Sequence, residues 1–387
     1  MDVYVLDTLL RRTIIFDRFD SMIWTERFSS HGDFEWVIKS TQYTRNSLVI
    51  GSLLAIRDSN RMMIIETIET KTDSTTKRKT MSISGRSWEA ILLDRVARAN
   101  MLSLATAPKW LLTFSPGDVA RTIFNTVCVM GALNEGDKIP FYVAGSLYPP
   151  DTIAEDTDVD TYEIPLTTVY DAIKAMCDGA DLGFRLTRNG DTSQTMFNIY
   201  AGNDHTSAQS LLPVIVFSEA LGNLTNVNEL VSTANLKNVC LVFAKNGSMT
   251  VYAPGTNPTV SGLNRRVMVI QIDSELAAGG ALNLEMQNQG LTALAAQKNI
   301  VAFDGEIPKN TQYKYDRDYS LGDLVEMRNT DGITNYMRVT EQIFVSDVEG
   351  EKSYPTLAID LIITPGSWFA LSPTLTWSAA TGTWAEA

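Results

Sequence analysis

A weak internal repeat limits the folds open to this chain more than any other feature of its sequence. The stretch from Gly51 to Asp58 resembles the stretch from Gly322 to Asn329, and each follows a Ser-Leu pair. Downstream, Glu66-Thr67-Ile68 matches Glu341-Gln342-Ile343, with a slightly longer loop in the second copy. Repeats mark duplicated structural units. The match predicts one small β-domain near the start and a similar one near the end, and chance similarity in a chain of 387 residues is the alternative.

The matched positions of the repeat carry definite expectations. Glycine precedes each strand, where the backbone turns tightly or approaches a neighbouring strand closely. The apolar pairs Leu53 and Ile56, and Leu324 and Met327, are expected to point into their own domain cores. An arginine ends each strand, and we expect it at an exposed rim, either paired with a carboxylate of the next domain or simply solvated. The residues that define the repeat are Gly51, Leu53, Arg57, Gly322, Leu324 and Arg328.

Apolar periodicity predicts a β-rich start followed by a mixed region. Residues 34–39 and 80–84 alternate between apolar and polar side chains, the period of a half-buried strand. A capped, short amphipathic helix is predicted over 87–93. Further helices are predicted over 115–130, 167–177 and 291–299. Further strands are predicted over 182–187, 196–201 (after a turn at Asn189-Gly190), 239–244, 249–253, 266–272, 336–345 and 356–362.

Charge, hydropathy and cysteine content exclude several classes of protein. The formal net charge is −13, and because specific nucleic-acid binding needs basic clusters, that function is not expected. No stretch of about 18 apolar residues occurs, so no membrane-spanning helix is predicted. Arg11 and Arg12 follow the first apolar run, unlike a signal peptide. Cys128, Cys177 and Cys240 are too scattered for a disulfide framework and are expected to be buried free thiols in a reducing cytosol.

Few residues point to catalysis or to ligand binding. His31 and His205 both lie in turn-like sequence and are expected to be surface residues. The segment Glu155 to Asp160 alternates carboxylates, but it lacks the central glycine and closing glutamate of an EF-hand, so a solvated acidic loop is favoured over a Ca²⁺ site. We therefore expect no catalytic, cofactor-binding or metal-binding residues.

Tryptophans mark the last twenty residues, which are predicted to be extended. Trp368, Trp377 and Trp384 are separated by Ser, Thr, Gly and Ala. Such residues stack on sugars in some proteins. An extended tail anchored on a neighbouring subunit is the interpretation we favour.

Several segments carry a family resemblance. They are Asp17 to Phe28, Gly32 to Glu35, Gly51 to Leu54, Ile65 to Ile68 and Ser84 to Ser87, with a later stretch from Gly222 to Val242. Together they resemble the hub proteins of siphophage tail tips, in particular the hub-like minor tail proteins common in phages of actinobacteria. The resemblance covers Met1 to about Ile362 and leaves the tryptophan-bearing tail outside.

The resemblance implies a mainly β fold with α+β insertions. In such hubs each chain supplies two similar small β-barrel tube domains, with two peripheral α/β domains, and three chains form a ring of six barrels. The implied domains are a first barrel over 1–100, an α/β middle domain over 101–232, a second barrel over 233–265 and 315–365, a small inserted domain over 266–314 and an extended tail over 366–387.

The resemblance also implies a structural role in the virion. The expected homotrimer adapts the six-fold tail tube to a three-fold spike or fibre at the tail tip and forms part of the DNA exit channel. Its implied partners are the distal tail protein ring, the C-terminus of the tape-measure protein and the central spike or fibre proteins, with assembly in the host cytoplasm. DNA passes without specific binding, and lumen carboxylates that repel phosphate would agree with the net charge.

Two other functions stay open at this point. A receptor- or carbohydrate-binding tail protein is favoured by the terminal tryptophans. A tail-associated cell-wall hydrolase is favoured only by relatives with long C-terminal extensions, and this chain is not expected to be an enzyme.

Overall fold

The computed structural model of the chain describes residues 1–75, 77–102, 109–139, 160–189, 194–274, 276–295, 297, 300–306, 312–328, 334–348 and 350–359. The acidic segment 155–159, the predicted turn at Gly190 and the terminal tryptophans lie outside these residues. The chain divides into one unit of Met1–Asn228 with Phe303–Ala358, and a second unit built on Glu229–Ala302.

Strands dominate the described part of the chain, as the sequence predicts. In chain order they are β1 (Val3–Leu6), β2 (Arg12–Phe16), β3 (Ser21–Arg27), β4 (Asp33–Lys39), β5 (Leu53–Ile56), β6 (Met62–Thr72), β7 (Lys79–Ser87), β8 (Trp110–Phe114), β9 (Asp160–Ile164), β10 (Gly183–Asn189), β11 (Gln194–Tyr200), β12 (Val216–Ser218), β13 (Thr225–Ser232), β14 (Val239–Ala244), β15 (Gly247–Tyr252), β16 (Val267–Gln271), β17 (Ile300–Glu306), β18 (Leu324–Arg328), β19 (Thr334–Asp347) and β20 (Gly350–Ile359).

Four α-helices accompany the strands in the described residues: α1 (Gln42–Ser47), α2 (Pro116–Phe124), α3 (Val169–Gly179) and α4 (Gly280–Ala295). The Ser115 and Thr168 side chains cap α2 and α3 by accepting hydrogen bonds from backbone N–H groups in the first turn. The predicted helix over 87–93 is a 3₁₀-helix, Trp88–Asp94. None of these helices is long and apolar enough to cross a membrane.

One sheet runs through most of the first unit. Its strands follow the spatial order β20-β19-β3-β4-β7-β6-β5-β1-β2, and β18 pairs with β19 and with β12. The two closed barrels implied by the resemblance are not seen, since no pairing among the described strands closes the sheet on itself. The reason is that β19 is shared: residues 334–338 pair with β18, and residues 341–346 pair with β3.

Two apolar cores stand out among the described residues of the first unit. The predicted alternation of Phe34, Trp36 and Ile38 is confirmed, because all three are buried in a core that Trp24 and Phe16 share. Phe16 meets the Trp36 ring edge-on at 5.4 Å between centroids. The other core lies around α2, α3 and the β10–β11 hairpin, where the Phe124 and Phe197 rings stack at 3.9 Å. Burial of each such side chain stabilises the fold by roughly 1.5–3 kcal/mol.

The second unit is a three-stranded sheet covered on one face by α4. β14 pairs with β15 in antiparallel and with β16 in parallel. The predicted domain boundary between residues 265 and 266 therefore falls inside a sheet, because the parallel β14–β16 pairing joins both sides of it. The predicted helix over 291–299 matches only the end of α4, which begins at Gly280 and buries Leu282, Met286 and Leu294.

Candidate functional site

The two copies of the repeat begin with the same backbone turn. Gly51 has φ +84° and Gly322 has φ +92°, a left-handed region that favours glycine. The Gly51 N–H donates to the Ile65 carbonyl and the Gly322 N–H donates to the Val339 carbonyl, both at 2.8 Å. The return hydrogen bonds, from Ile65 N–H to Ser52 O and from Val339 N–H to Asp323 O, are both 2.9 Å long.

After each turn, the strands of the two copies also pair in the same way. Leu54 pairs with Met63 in the first copy and Val325 pairs with Met337 in the second, and all four side chains are fully buried. Ile65 and Val339 make the same hydrogen bonds and are therefore equivalent positions. The downstream alignment that the sequence predicts, in which Glu66 matches Glu341, is thus displaced by one residue.

The predicted orientation of Leu53 is wrong. Leu54 and Ile56 join the core of the long sheet, whereas Leu53 and Ala55 pack on the other core, beneath the middle helices. Side chains alternate along a strand, so Leu53 and Ile56 cannot share a face. In the second copy, Leu324 and Met327 are both buried.

The arginines that end the two repeat strands, Arg57 and Arg328, are exposed. Arg328 lies 3.2 Å from the buried Glu326 carboxylate, which belongs to its own strand rather than to another domain. Glu326 also accepts a hydrogen bond from the Ser207 N–H at 2.7 Å.

The two copies lie in one sheet of the same chain. β19, from the second copy, pairs in antiparallel with β3 over six residue pairs from Glu341–Arg27 to Ser346–Met22, and β3, β4 and β7 connect it to β6 and β5 of the first copy. The Arg27 guanidinium spans the junction, with Nε 2.6 Å from Glu341 and Nη1 2.5 Å from Asp33. Burial opposes the charge of Arg27, but the two carboxylates raise its pKa above the ordinary value.

One face of this joined sheet is open and polar. Successive side chains of a strand point to opposite faces of the sheet. Since every second residue points into the apolar core, the residues between them lie on the open face. Registered rows run across β19, β3, β4, β7 and β6. Apart from the buried Thr25, the residues on this face are Glu341, Ile343, Val345, Ser21, Ile23, Arg27, Asp33, Glu35, Val37, Lys39, Thr80, Ser82, Ser84, Arg86, Thr67, Glu69 and Lys71. Positive and negative side chains are interspersed on this face, whereas the net charge of the chain favours a mainly acidic surface.

A buried arginine connects three distant parts of the first unit. Arg61, in the first copy, lies 3.4 Å from Glu89 and 3.7 Å from Glu26, and donates to the Tyr200 hydroxyl at 3.2 Å. Tyr315, just before the second copy, donates to Glu26 at 3.1 Å. All three charged side chains are almost completely inaccessible.

Charge balance keeps Arg61 ionised in this position. Burial disfavours its charge, but Tyr200, Glu89 and Glu26 together raise its pKa above the ordinary value. Glu26 further accepts hydrogen bonds from Trp24 Nε1, at 2.9 Å, and from the Ser59 hydroxyl. A cavity of about 500 Å³ lies beside the cluster, lined by Arg185, Asn198 and Asp316 among others.

This cluster was not predicted from the sequence, although the position of Glu26 indicates a buried carboxylate. Glu26 follows Met22 and Trp24 at a spacing of two, so it occupies a core-facing position of β3. A carboxylate in an apolar row predicts a buried partner. The partner, Arg61, cannot be identified from spacing.

The histidines lie apart, and His205 is not the surface residue that was predicted. It is buried, with Nδ1 3.0 Å from the Pro213 carbonyl and Nε2 3.6 Å from Asp323. These two oxygen atoms hold the imidazole ring in its buried position. His31 is half-buried, with its ring 5.4 Å from that of Tyr170.

The cysteines match their prediction in the described structure. All three are buried and unbonded. Burial raises the pKa of Cys128 to about 12. Among the described residues, no group of three or more His, Cys, Asp or Glu side chains has the arrangement of a metal site.

The repeat glycines provide a matched pair of variants. Gly51→Ala is expected to cost roughly 1–2 kcal/mol, because alanine disfavours positive φ and the added Cβ meets no atom within 4 Å. Gly322→Ala should cost about 1–3 kcal/mol more, because its Cβ would lie 2.3 Å from Cε2 of Phe28. Urea unfolding of the full chain measures both, and equal losses would contradict the close approach to Phe28.

Arg61 provides a second test. Arg61→Met leaves Glu26 and Glu89 buried without their cation, so we expect a loss of about 3–5 kcal/mol in the free energy of unfolding. Arg11→Met, which breaks the exposed pair with Asp7, is the control and should change stability by at most about 1 kcal/mol. Tryptophan fluorescence during urea unfolding reports both, and similar small losses would show that Arg61 does not hold the cluster together.

Comparison with solved structures identifies the fold. The tail protein from Neisseria meningitidis MC58 superposes with a TM-score of 0.56 at 14% identity, over 95% of this chain and 98% of that chain. The 43 kDa tail protein of prophage MuSo2 from Shewanella oneidensis superposes with a TM-score of 0.57 at 11% identity, over 92% and 98%. At these identities the similarity shows a shared fold, that of phage tail proteins.

Sequence comparison gives a family. No curated protein matches the chain. One family model, described as Siphovirus ReqiPepy6 Gp37-like protein, matches residues 2–357. Since this match spans almost the whole chain, the protein belongs to the Siphovirus ReqiPepy6 Gp37-like family.

Proposed function

We propose that this protein is a structural virion protein that forms the homotrimeric hub of a phage tail tip. The pairing of β3 with β19 carries the proposal, because it places the two copies of the repeat in one sheet, with β3, β4 and β7 between them. Three such chains around an axis supply six similar units, the number needed to continue a six-fold tube. A closed ring with heterologous interfaces is the natural extension of a tube.

The correspondence between the two copies supports a true duplication. They share a left-handed glycine, two backbone hydrogen bonds of matching length and a fully buried residue pair after the turn. We infer that each copy contributes one tube-domain equivalent to the ring.

The open face of the joined sheet is our candidate for the channel wall. It carries small hydroxyl side chains such as Ser82 and Ser84 on the same face as ion-paired arginines. Arg27 is engaged by Asp33 and Glu341, and Arg86 by Glu66. Cations neutralised in this way offer little net attraction to phosphate, so DNA would pass without specific binding.

The proposed partners follow from the position of a hub. On one side it would contact the distal tail protein ring and the C-terminus of the tape-measure protein, and on the other the central spike or fibre. We place the protein at the virion tail tip, after assembly in the host cytoplasm, with a structural rather than an enzymatic role.

Copy number tests the trimer. Quantitative mass spectrometry of purified virions should give three copies of this chain per tail, and cryo-electron microscopy of the tail tip should show them around a three-fold axis. The tail tube protein, counted in the same sample, provides the internal reference. Any other copy number at the tip contradicts the hub assignment.

Charge on the open face tests the channel. In phage that carry Ser82→Lys and Ser84→Lys, unpaired cations on the wall should attract DNA and slow its release from purified particles several-fold. The control, Ser82→Glu with Ser84→Glu, has the same positions and a similar side-chain size with the opposite charge. Equal release rates for both pairs, in particles of normal composition, would show that this face does not line the channel.

A further inference from the structure

The second unit has one bare sheet face. α4 covers the face that carries Cys240, Val242 and Val251. The strand registers place the opposite residues in rows: Val239 with Tyr252 and Val267, Leu241 with Thr250 and Val269, and Phe243 with Ser248 and Gln271. Val239 is fully buried, so we call the other eight residues the uncovered face.

The uncovered face is mainly apolar, with Thr250, Ser248 and Gln271 as its polar residues, and it has no charged residue. Val269, in the middle of β16, is 62% exposed, and Phe243, near the end of β14, is 46% exposed. In a chain with 20% charged residues, a solvated sheet face normally carries some of them, as the open face of the first unit does. Contiguous exposed apolar surface of this kind marks a site of interaction.

The C-terminal segment of the same chain has complementary properties. From Leu361 to Ala385 it contains no Asp, Glu, Lys or Arg, and it carries Trp368, Trp377 and Trp384. Within it, Thr374-Leu375-Thr376-Trp377-Ser378 alternates polar and apolar side chains, so an extended backbone would present Leu375 and Trp377 on one side.

We propose that the uncharged segment 361–385 packs its apolar side chains onto the uncovered face of β14–β16 in its own chain. An uncharged partner suits a face without charge, because no ionic group is desolvated on binding. The tryptophans supply large apolar areas that bury well on a flat sheet.

The segment is long enough to cross the uncovered face. An extended segment spans at most about 3.3–3.6 Å per residue, so these 25 residues reach roughly 80–90 Å, whereas three strands are only about 10–15 Å wide. Covalent attachment also gives the segment a high effective concentration near the face, which favours the same chain over a second copy.

Limited proteolysis of the full chain tests the contact. Chymotrypsin cleavage after Trp377, followed by mass spectrometry, should be at least tenfold faster in Val269→Asp, which places a charge on the uncovered face. Leu263→Asp is the matched control, because Leu263 is 97% exposed in the same unit but lies off this face, and its cleavage rate should equal that of the natural chain. Equal rates in all three proteins overturn the proposal.

Because Val269→Asp could fail to fold, a second pair of variants changes the segment and not the uncovered face. Trp377→Asp should raise amide hydrogen exchange over 267–271, whereas Ser378→Asp, on the other side of the alternation, should not. If neither variant changes this exchange, the segment does not bind here. Protection of Trp377 that rises with protein concentration would assign the contact to a second copy and also overturn the proposal.

Discussion

The pairing of β3 with β19 is the contact on which the first unit depends. It joins residues about three hundred positions apart, as the Arg27–Glu341 ion pair across it shows. The entropy cost of closing a loop grows only slowly with its length, so a six-pair strand junction with an apolar core beneath it can offset that cost. Each strand also covers an edge of the other that would otherwise be open to association with other chains. One half of β19 pairs with β18 and the other half pairs with β3, so both copies are parts of a single sheet, and neither closes into a barrel within the described chain.

The buried cluster around Arg61 complements this junction with directional contacts. Apolar packing tolerates small shifts between layers, whereas Arg61 must lie near Glu26, Glu89 and Tyr200 at the same time. Desolvation of the three charges consumes much of their mutual attraction. We infer that the cluster contributes more to the relative placement of the first copy, the middle hairpin and the approach to the second copy than to net stability. The Tyr315 hydroxyl on Glu26 extends this placement to residues immediately before Gly322.

Structural features that depend on a local sequence pattern could be predicted, whereas features that depend on contacts between distant segments could not. The alternation at Phe34, Trp36 and Ile38 identified a strand and its buried face, and two helix starts were predicted at Ser115 and, within one residue of the cap, at Thr167, because these signals lie within a few residues. The repeat identified Gly51 and Gly322 as matching turns, but it placed Leu53 on the wrong face, because Leu53 and Ile56 are three residues apart and side chains alternate along a strand. The boundary at residue 265 failed because a parallel pairing, between β14 and β16, leaves no short turn as a signal. The Arg61 partners were out of reach for the same reason: Glu89 and Tyr200 approach it only after the helices and the hairpin have packed.

The two open sheet faces of the molecule differ in a way that follows from solvation. In the first unit, the open face intersperses hydroxyls with ion-paired arginines and carboxylates, and such side chains remain hydrated without a covering layer. In the second unit, the uncovered face has valines, a leucine and aromatic rings with no charge among them, and water contact with that surface is unfavourable in proportion to its area. A face of the first kind is suited to border a solvent-filled passage, since it needs no partner to be stable. A face of the second kind gains free energy from any apolar layer placed on it, and the chain itself carries an uncharged, tryptophan-bearing segment long enough to reach it. The open face of the first unit is therefore stable in contact with water, whereas the uncovered face of the second unit is stabilised by contact with protein.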